Sequence, residues 1–184
     1  MNWLSPWGGG QRRLAAVELL VLDVDGVLTD GGLIYGDNGE VQRRFDCRDG
    51  LGLRLLQQAG LQLAFLSGGR GAALEARARH LAIGHCLTAV KDKALALASL
   101  QGQLGLSPAA TAYVGDDLND LVVRPRVGVL VAPADGCGPL RRQADLVLRR
   151  RGGQGAVREL AELILRARGA WQALAREGWR DRND

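Results

Sequence analysis

Asp23 and Asp25 stand two apart in Asp23-Val24-Asp25-Gly26, at the end of the apolar run 17–24. Residues i and i+2 of a strand share a face, and at a strand's carboxyl end the backbone can turn between them. Two carboxylates that close repel each other unless a cation or a shared proton intervenes. A hard cation such as Mg²⁺ accepts one or two carboxylates together with water and phosphate oxygens. Asp116, in Gly115-Asp116-Asp117, closes a second apolar run, 111–114, and Ser67-Gly68-Gly69 closes a third, 61–66. With Asp116 brought beside Asp23 and Asp25, the oxygen donors suit Mg²⁺. Taken singly, the Asp23/Asp25 pair is as much the opening of a turn at Gly26 as a site, and Ser67 is more often a strand-ending turn residue than a phosphate ligand.

The elements that must carry these residues follow from periodicity. The runs 17–24, 61–66 and 111–114 are short, continuous and apolar, as buried parallel strands are; 127–131 and 145–148 are two more, and His85 and Cys86 belong to a short one. Helical patterns cover 49–59 (stopped by Gly60), 70–82, 91–104 and 156–168, and Ser107-Pro108 reads as an N-cap followed by proline at the first helical position. Asp37-Asn38-Gly39 between two β-type stretches predicts a hairpin over 31–45. Strands alternating with helices give an α/β fold with a mainly parallel sheet, in which ligands bind outside the carboxyl ends of the strands. Residues 1–16 read as a loose leader, 17–169 as a single domain and 170–184 as a mobile tail.

Composition narrows the function classes. The 184 residues are 47% apolar, enough for a sizeable core, and the net charge of +4 comes from scattered arginines with only 4% aromatic residues, so nucleic acid finds few stacking platforms. Cys47, Cys86 and Cys137 lie far apart without a CxxC pair, and His80 and His85 are the only histidines. A disulfide frame, a zinc ribbon and a Ser-His-Asp triad are therefore not expected. No apolar run approaches the length of a membrane span, and a cytoplasmic protein is the expectation. Of the 24 basic side chains, 22 are arginine and only Lys91 and Lys93 are lysine. A lysine kept in such a chain suggests a place that requires one.

Four segments in order resemble the motifs of the haloacid-dehalogenase-type phosphatases: residues 23–30 (DVDGVLTD), Ser67 after an apolar strand, Lys93, and residues 115–120 (GDDLND). Thr29-Asp30-Gly31, Asn38-Gly39-Glu40, Arg48-Asp49-Gly50-Leu51-Gly52 and residues 152–159 (GGQGAVRE) narrow the resemblance to the KDO 8-phosphate phosphatase family, over roughly residues 17–169. KDO is the eight-carbon keto sugar acid of lipopolysaccharide. The resemblance implies a Rossmann-like three-layer domain without a large cap, and a Mg²⁺-dependent phosphomonoesterase. It implies Asp23 as nucleophile, Asp25 as acid and then base, and Mg²⁺ held by the Asp23 carboxylate, the Asp25 backbone carbonyl and Asp116. Ser67 and the N–H groups from Gly68 onward would bind the phosphoryl group, Lys93 would add charge, and Asp117 and Asp120 would orient water or Lys93. Arg48 and Arg70 are the implied substrate contacts.

The family joins subunits into a tetramer through its hairpin, here 31–45, so that a neighbour covers the site and the C-terminal tail can reach it; a hairpin that is a solvated flap of a monomer is the alternative. Two positions depart from the family pattern: Gly69 stands where it has arginine, and Val122 where it often has proline. The competing readings are the same reaction on another phosphorylated sugar acid, such as a nine-carbon one, and a phospho-acceptor signalling domain. The latter places its acidic pair before the phosphorylated aspartate, the reverse of the order here.

Overall fold

The structure is a computed structural model and describes residues 9–180. In chain order the elements are α1 (Gly9–Ala15), β1 (Leu19–Leu22), β2 (Ile34–Tyr35), β3 (Val41–Gln42), α2 (Cys47–Gln58), β4 (Gln62–Leu66), α3 (Ala72–His80), β5 (His85–Leu87), α4 (Lys93–Leu104), β6 (Thr111–Val114), β7 (Val129–Ala132), α5 (Gly138–Gln143), β8 (Leu146–Val147), α6 (Ala156–Ala167) and α7 (Trp171–Glu177). Short 3₁₀ segments at Pro108–Ala110 and Leu118–Arg126 flank β6.

Six strands pair in the order β5-β4-β1-β6-β7-β8, and every neighbouring pair is parallel. The chain builds outward from β1 to β4 and β5, then returns past it to β6, β7 and β8. The strand order therefore reverses at β1, with β4 on one side and β6 on the other. Alternation along β1 divides the core. Leu20 and Leu22 join Leu53, Leu56, Phe65, Leu160 and Ile164 on one face, while Leu19 and Val21 join Leu97, Leu100, Tyr113 and Leu130 on the other. Helices α1, α2 and α6 thus cover one face, and α4, α5 and the 118–126 segment the other, giving three layers. The hairpin of β2 and β3 has two residue pairs and stands apart from this sheet.

Three segments differ from the sequence reading. The expected loose leader 1–16 contains α1, whose Leu14 is fully buried against α6 and whose Arg13 pairs with Asp145 at 3.0 Å. The expected mobile tail contains α7, whose Trp171 ring lies 5.6 Å from the Arg158 guanidinium and 5.0 Å from that of Arg166. Farther on, Trp179 Nε1 donates to Gln58 Oε1 at 2.7 Å. Residues 1–8 and 181–184, the outer parts of those two expectations, lie outside the described residues. The Ser107-Pro108 signal starts only a single 3₁₀ turn, without a side-chain cap, that leads directly into β6.

Candidate active site

Because β1 lies between β4 and β6, the carboxyl ends of these three strands open on one place. A cavity of about 250 Å³ there is lined by Asp23, Asp25, Ser67, Gly68, Asp116 and Asn119. Asp23 is continuous with the sheet: its N–H donates to the Val114 carbonyl at 2.9 Å. After it the chain folds into a tight turn in which the Val24 carbonyl accepts from the N–H groups of Leu28 and Thr29 at 2.9 and 3.1 Å. The Thr29 hydroxyl oxygen accepts from Gly31 at 3.1 Å. This turn separates the two aspartates that a straight strand would stack on one face. Gly26 has φ +86, and a Cβ on it would lie 2.1 Å from Asp116 Oδ2, so the close approach of Asp116 requires glycine.

Asp120 organises the floor of the site. Its Oδ1 accepts from Lys93 Nζ and the Tyr113 hydroxyl, both at 2.6 Å, and its Oδ2 accepts from the N–H groups of Asp116 and Asp117 at 2.9 and 3.2 Å. Asp117 reciprocates as the cap of the 3₁₀ segment, accepting from Leu118 at 2.7 Å. Lys93 opens α4, which Asp92 caps through the Leu95 N–H at 2.9 Å. Its ammonium lies 2.8 Å from Asp23 Oδ2, so a single cation is shared by two buried carboxylates. Burial disfavours that charge, but Asp23 and Asp120 outweigh it and hold the lysine pKa above its ordinary value. The Tyr113 phenol is pushed up strongly by burial and by Asp120, and so serves as a donor.

The acidic partners are less well compensated. Burial, then the charges of Asp120 and Asp23, push Asp116 up to about 7; burial and Asp120 push Asp23 up to about 6 despite Lys93. Single carboxylate oxygens of Asp23, Asp116 and Asp120 lie within 4.8 Å of one another. Asp120 already spends both oxygens on four donors, about the number of lone-pair sites a carboxylate has, so Asp23 and Asp116 are the pair with capacity to spare. Two under-compensated carboxylates in an all-oxygen setting fit a hard divalent cation. The Asp25 carboxylate lines the same cavity but lies outside this oxygen cluster, which is compatible with a metal role confined to its backbone carbonyl.

Asp25 is gripped by Arg43, whose Nε and Nη2 reach its two oxygens at 2.7 and 3.2 Å. Arg43 follows β3 directly and had no distinguishing mark among the arginines of the sequence; no spacing rule singles it out. Tyr113 was equally unmarked, reading only as a strand residue. Ser67 is buried at the end of β4, and its Oγ accepts from the Gly69 N–H at 3.1 Å, which turns the chain across the cavity. Two expected substrate contacts are not brought to this cavity. Arg48 is held by Asp46 at 2.6 Å and lines a separate depression with Arg149, Arg150 and Arg158. Arg70 is exposed and, among the described residues, makes no hydrogen bond or ion pair. Lys91 is exposed and His80 lies on the surface, as their sequence context suggests.

A parallel sheet with an aspartate pair at its central strand, a serine on one neighbour, an acidic loop on the other and a lysine from a following helix defines a phosphatase of the haloacid-dehalogenase type. No family model matches the chain. It is 42% identical over 137 residues to the 3-deoxy-D-manno-octulosonate 8-phosphate phosphatase of Escherichia coli K12, covering 74% of this chain and 73% of that protein. The crystal structure of the Moraxella catarrhalis enzyme of that name, in complex with a magnesium ion, a phosphate ion and KDO, superposes with a TM-score of 0.89 at 37% identity, covering 92% of this chain and 97% of that one. The Yersinia pestis enzyme superposes with a TM-score of 0.86 at 41% identity over 88% of each chain. The chain belongs to the 3-deoxy-D-manno-octulosonate 8-phosphate phosphatase family.

Proposed function

We propose that the chain hydrolyses 3-deoxy-D-manno-octulosonate 8-phosphate to the free sugar acid and phosphate, with Mg²⁺ as cofactor. The observation that carries this reading is the setting of Asp23: a buried carboxylate at the central strand end, 2.8 Å from the Lys93 ammonium and beside Asp116, in a family so named. Asp23 is the nucleophile. It forms a bond to phosphorus as the bond from phosphorus to the sugar oxygen breaks, which divides one difficult hydrolysis into two easier steps. Asp25 gives its proton to the departing sugar oxygen, then takes one from the water that attacks the aspartyl-phosphate and frees Asp23.

Ser67 and the N–H groups from Gly68 onward hold phosphoryl oxygens, and Lys93 offsets charge that builds up on them. The cation would be held by the Asp23 and Asp116 carboxylates and the Asp25 backbone carbonyl, where it supplies charge neutralisation of the phosphoryl oxygens. Asp120 and Asp117 keep Lys93 and the 115–118 backbone in register for this.

The hairpin supports a further part of the reading. Leu33, Ile34 and Tyr35 expose large apolar surface on it, and a small isolated ladder gains stability by being covered. Chains assemble as tetramers through this hairpin, a neighbour completing the wall of the open cavity.

The decisive measurement is phosphate release from the sugar acid phosphate with and without Mg²⁺. Activity that disappears with EDTA and returns with Mg²⁺ is expected. Asp23→Asn should leave essentially no turnover, and Asp25→Asn a deficit of about 10²–10⁴-fold, the usual worth of acid–base help. Wild-type rates in the fully chelated protein or in either variant would overturn the mechanism.

A further inference from the structure

The Asp25 carboxylate is held from outside the sheet, by the hairpin. Arg43 comes one residue after β3, yet its side chain is only 4% exposed, against 31% for Asp25. Its Nε and Nη2 contact Oδ1 and Oδ2 of Asp25 at 2.7 and 3.2 Å, a bidentate fork that fixes the plane of the carboxylate as well as its position. The terminal torsion of an aspartate is otherwise broad.

The pair packs closely against the backbone that follows β4, where Gly69 leaves it room. A Cβ on Gly69 would lie 2.9 Å from Asp25 Oδ2 and 3.2 Å from Arg43 Nη2, and one on Gly71 would lie 3.4 Å from Arg43 Nη1. The root of the hairpin is anchored in turn by Arg44, which donates to the Gly153 carbonyl at 3.3 Å. That contact ties it to the glycine loop before α6. The pair is therefore built from both sides: a cation delivered by the hairpin and the room left by Gly69 after β4. Among the described residues Nη1 of Arg43 is buried without a hydrogen-bond partner, so the fork is held there by Asp25 and by shape.

We propose that Arg43 is a positioning residue for the reaction: it sets the orientation in which Asp25 meets the leaving oxygen and, later, the attacking water. This rests on the acid–base reading of Asp25 given above. Proton transfer needs donor and acceptor within about 2.6–3.2 Å, so a carboxylate free to rotate spends much of its time misaligned. Arg43 touches neither phosphorus nor nucleophile and acts only through Asp25. Its loss therefore bears on turnover, and ground-state binding of the phosphoryl group by Ser67 and Lys93 is left in place.

The test is a double-mutant cycle in steady-state kinetics on the full chain with Mg²⁺, using Arg43→Gln, Asp25→Asn and the two combined. Arg43→Gln should lower kcat by about 10–100-fold, a part of what acid–base help supplies, with KM within about threefold of wild type. Arg43→Lys, which keeps a charge but not the fork, should recover part of the loss. In the Asp25→Asn background, Arg43→Gln should add nothing, because the group it positions is gone. A wild-type kcat for Arg43→Gln overturns the proposal, and so do losses that multiply in the combined variant, as for a residue acting independently of Asp25. A fall confined to KM also overturns it. If instead Asp25→Asn alone keeps the wild-type rate, the acid–base reading itself fails, and that single variant identifies the failure as lying there.

Discussion

Lys93 divides one ammonium between Asp23 and Asp120 at 2.8 and 2.6 Å while only 3% exposed. An ammonium is a compact point charge, whereas a guanidinium is a wide planar fork that cannot occupy the same volume. Lys93→Arg should therefore damage the enzyme although it keeps the charge, with kcat reduced by about 10²-fold or more, as when one transition-state donor is removed. Lys91→Arg, two residues away and exposed, should turn over like wild type; equal rates for both variants would make Lys93 just another basic residue. The elevated carboxylates give a second expectation. Asp23 and Asp116 titrate near 6 and 7 in the folded chain against 3.8 ordinarily. Between those values the folded state holds protons that the unfolded state has released, so their contribution to stability falls as pH rises through this window. A cation that binds the deprotonated pair competes with those protons. The rise in Tm produced by Mg²⁺ should be larger at pH 8 than at pH 5.5, in thermal melts at fixed metal concentration; an equal rise at both would argue against Asp23 and Asp116 as its ligands.

Among the elements, the glycine loop before α6 does more than connect. Gly152 packs so closely under the catalytic turn that a Cβ on it would lie 1.8 Å from the Gly26 carbonyl oxygen. The loop is held there by Asp49 of α2, which is 1% exposed and accepts from the N–H groups of Gly155 and Arg158 at 3.2 and 2.8 Å. Asp49 thus caps α6 from a different helix. Replacing it by alanine leaves two N–H groups without an acceptor, at a cost of about 1–3 kcal/mol each where they are buried. Urea denaturation of Asp49→Ala should show a loss of that order, and a midpoint equal to wild type would mean that the loop is held by packing alone. The strands and the longer helices were legible because each carries a continuous or periodic apolar pattern. The segment Leu118–Arg126 was not: it is a 3₁₀ helix with Pro125 inside it, started by the Asp117–Asp120 cap and docked through Val123 and Leu121, and a proline-containing 3₁₀ run does not carry the 3.6-residue signature of an α-helix. Helices α1 and α7 were missed because they are short and dock through a few side chains, Leu14 and Arg13 in α1 and Trp171 and Leu174 in α7, too few for a periodic pattern.

At the scale of the whole molecule, strand ends that are far apart in sequence meet because the order reverses at β1. Asp23, Asp25, Ser67 and Asp116 stood out by residue type after apolar runs, and Lys93 by the resemblance and as one of only two lysines. Arg43 did not, since what sets it apart is its fork on Asp25 and the room that Gly69 leaves for the pair across the fold. Arg48 and Arg70, expected from the resemblance, do not line the cavity in this structure: Arg48 pairs with Asp46, and Arg70 is exposed. The proposed assembly is checked by light scattering, which should give about four times the 19.7 kDa chain mass. Deletion of Asp37-Asn38-Gly39 should reduce that toward one; a tetramer that survives the deletion would place its interface elsewhere.

The hairpin has two rungs, Ile34 with Gln42 and Tyr35 with Val41, and a ladder that short cannot be stiff on its own. It nonetheless carries the arginine that steadies Asp25. Under the proposed assembly, turnover per chain would depend on how much of the enzyme has found its partners: dilution below the association range should slow each molecule, and the abundance of the protein would become a control on its own rate.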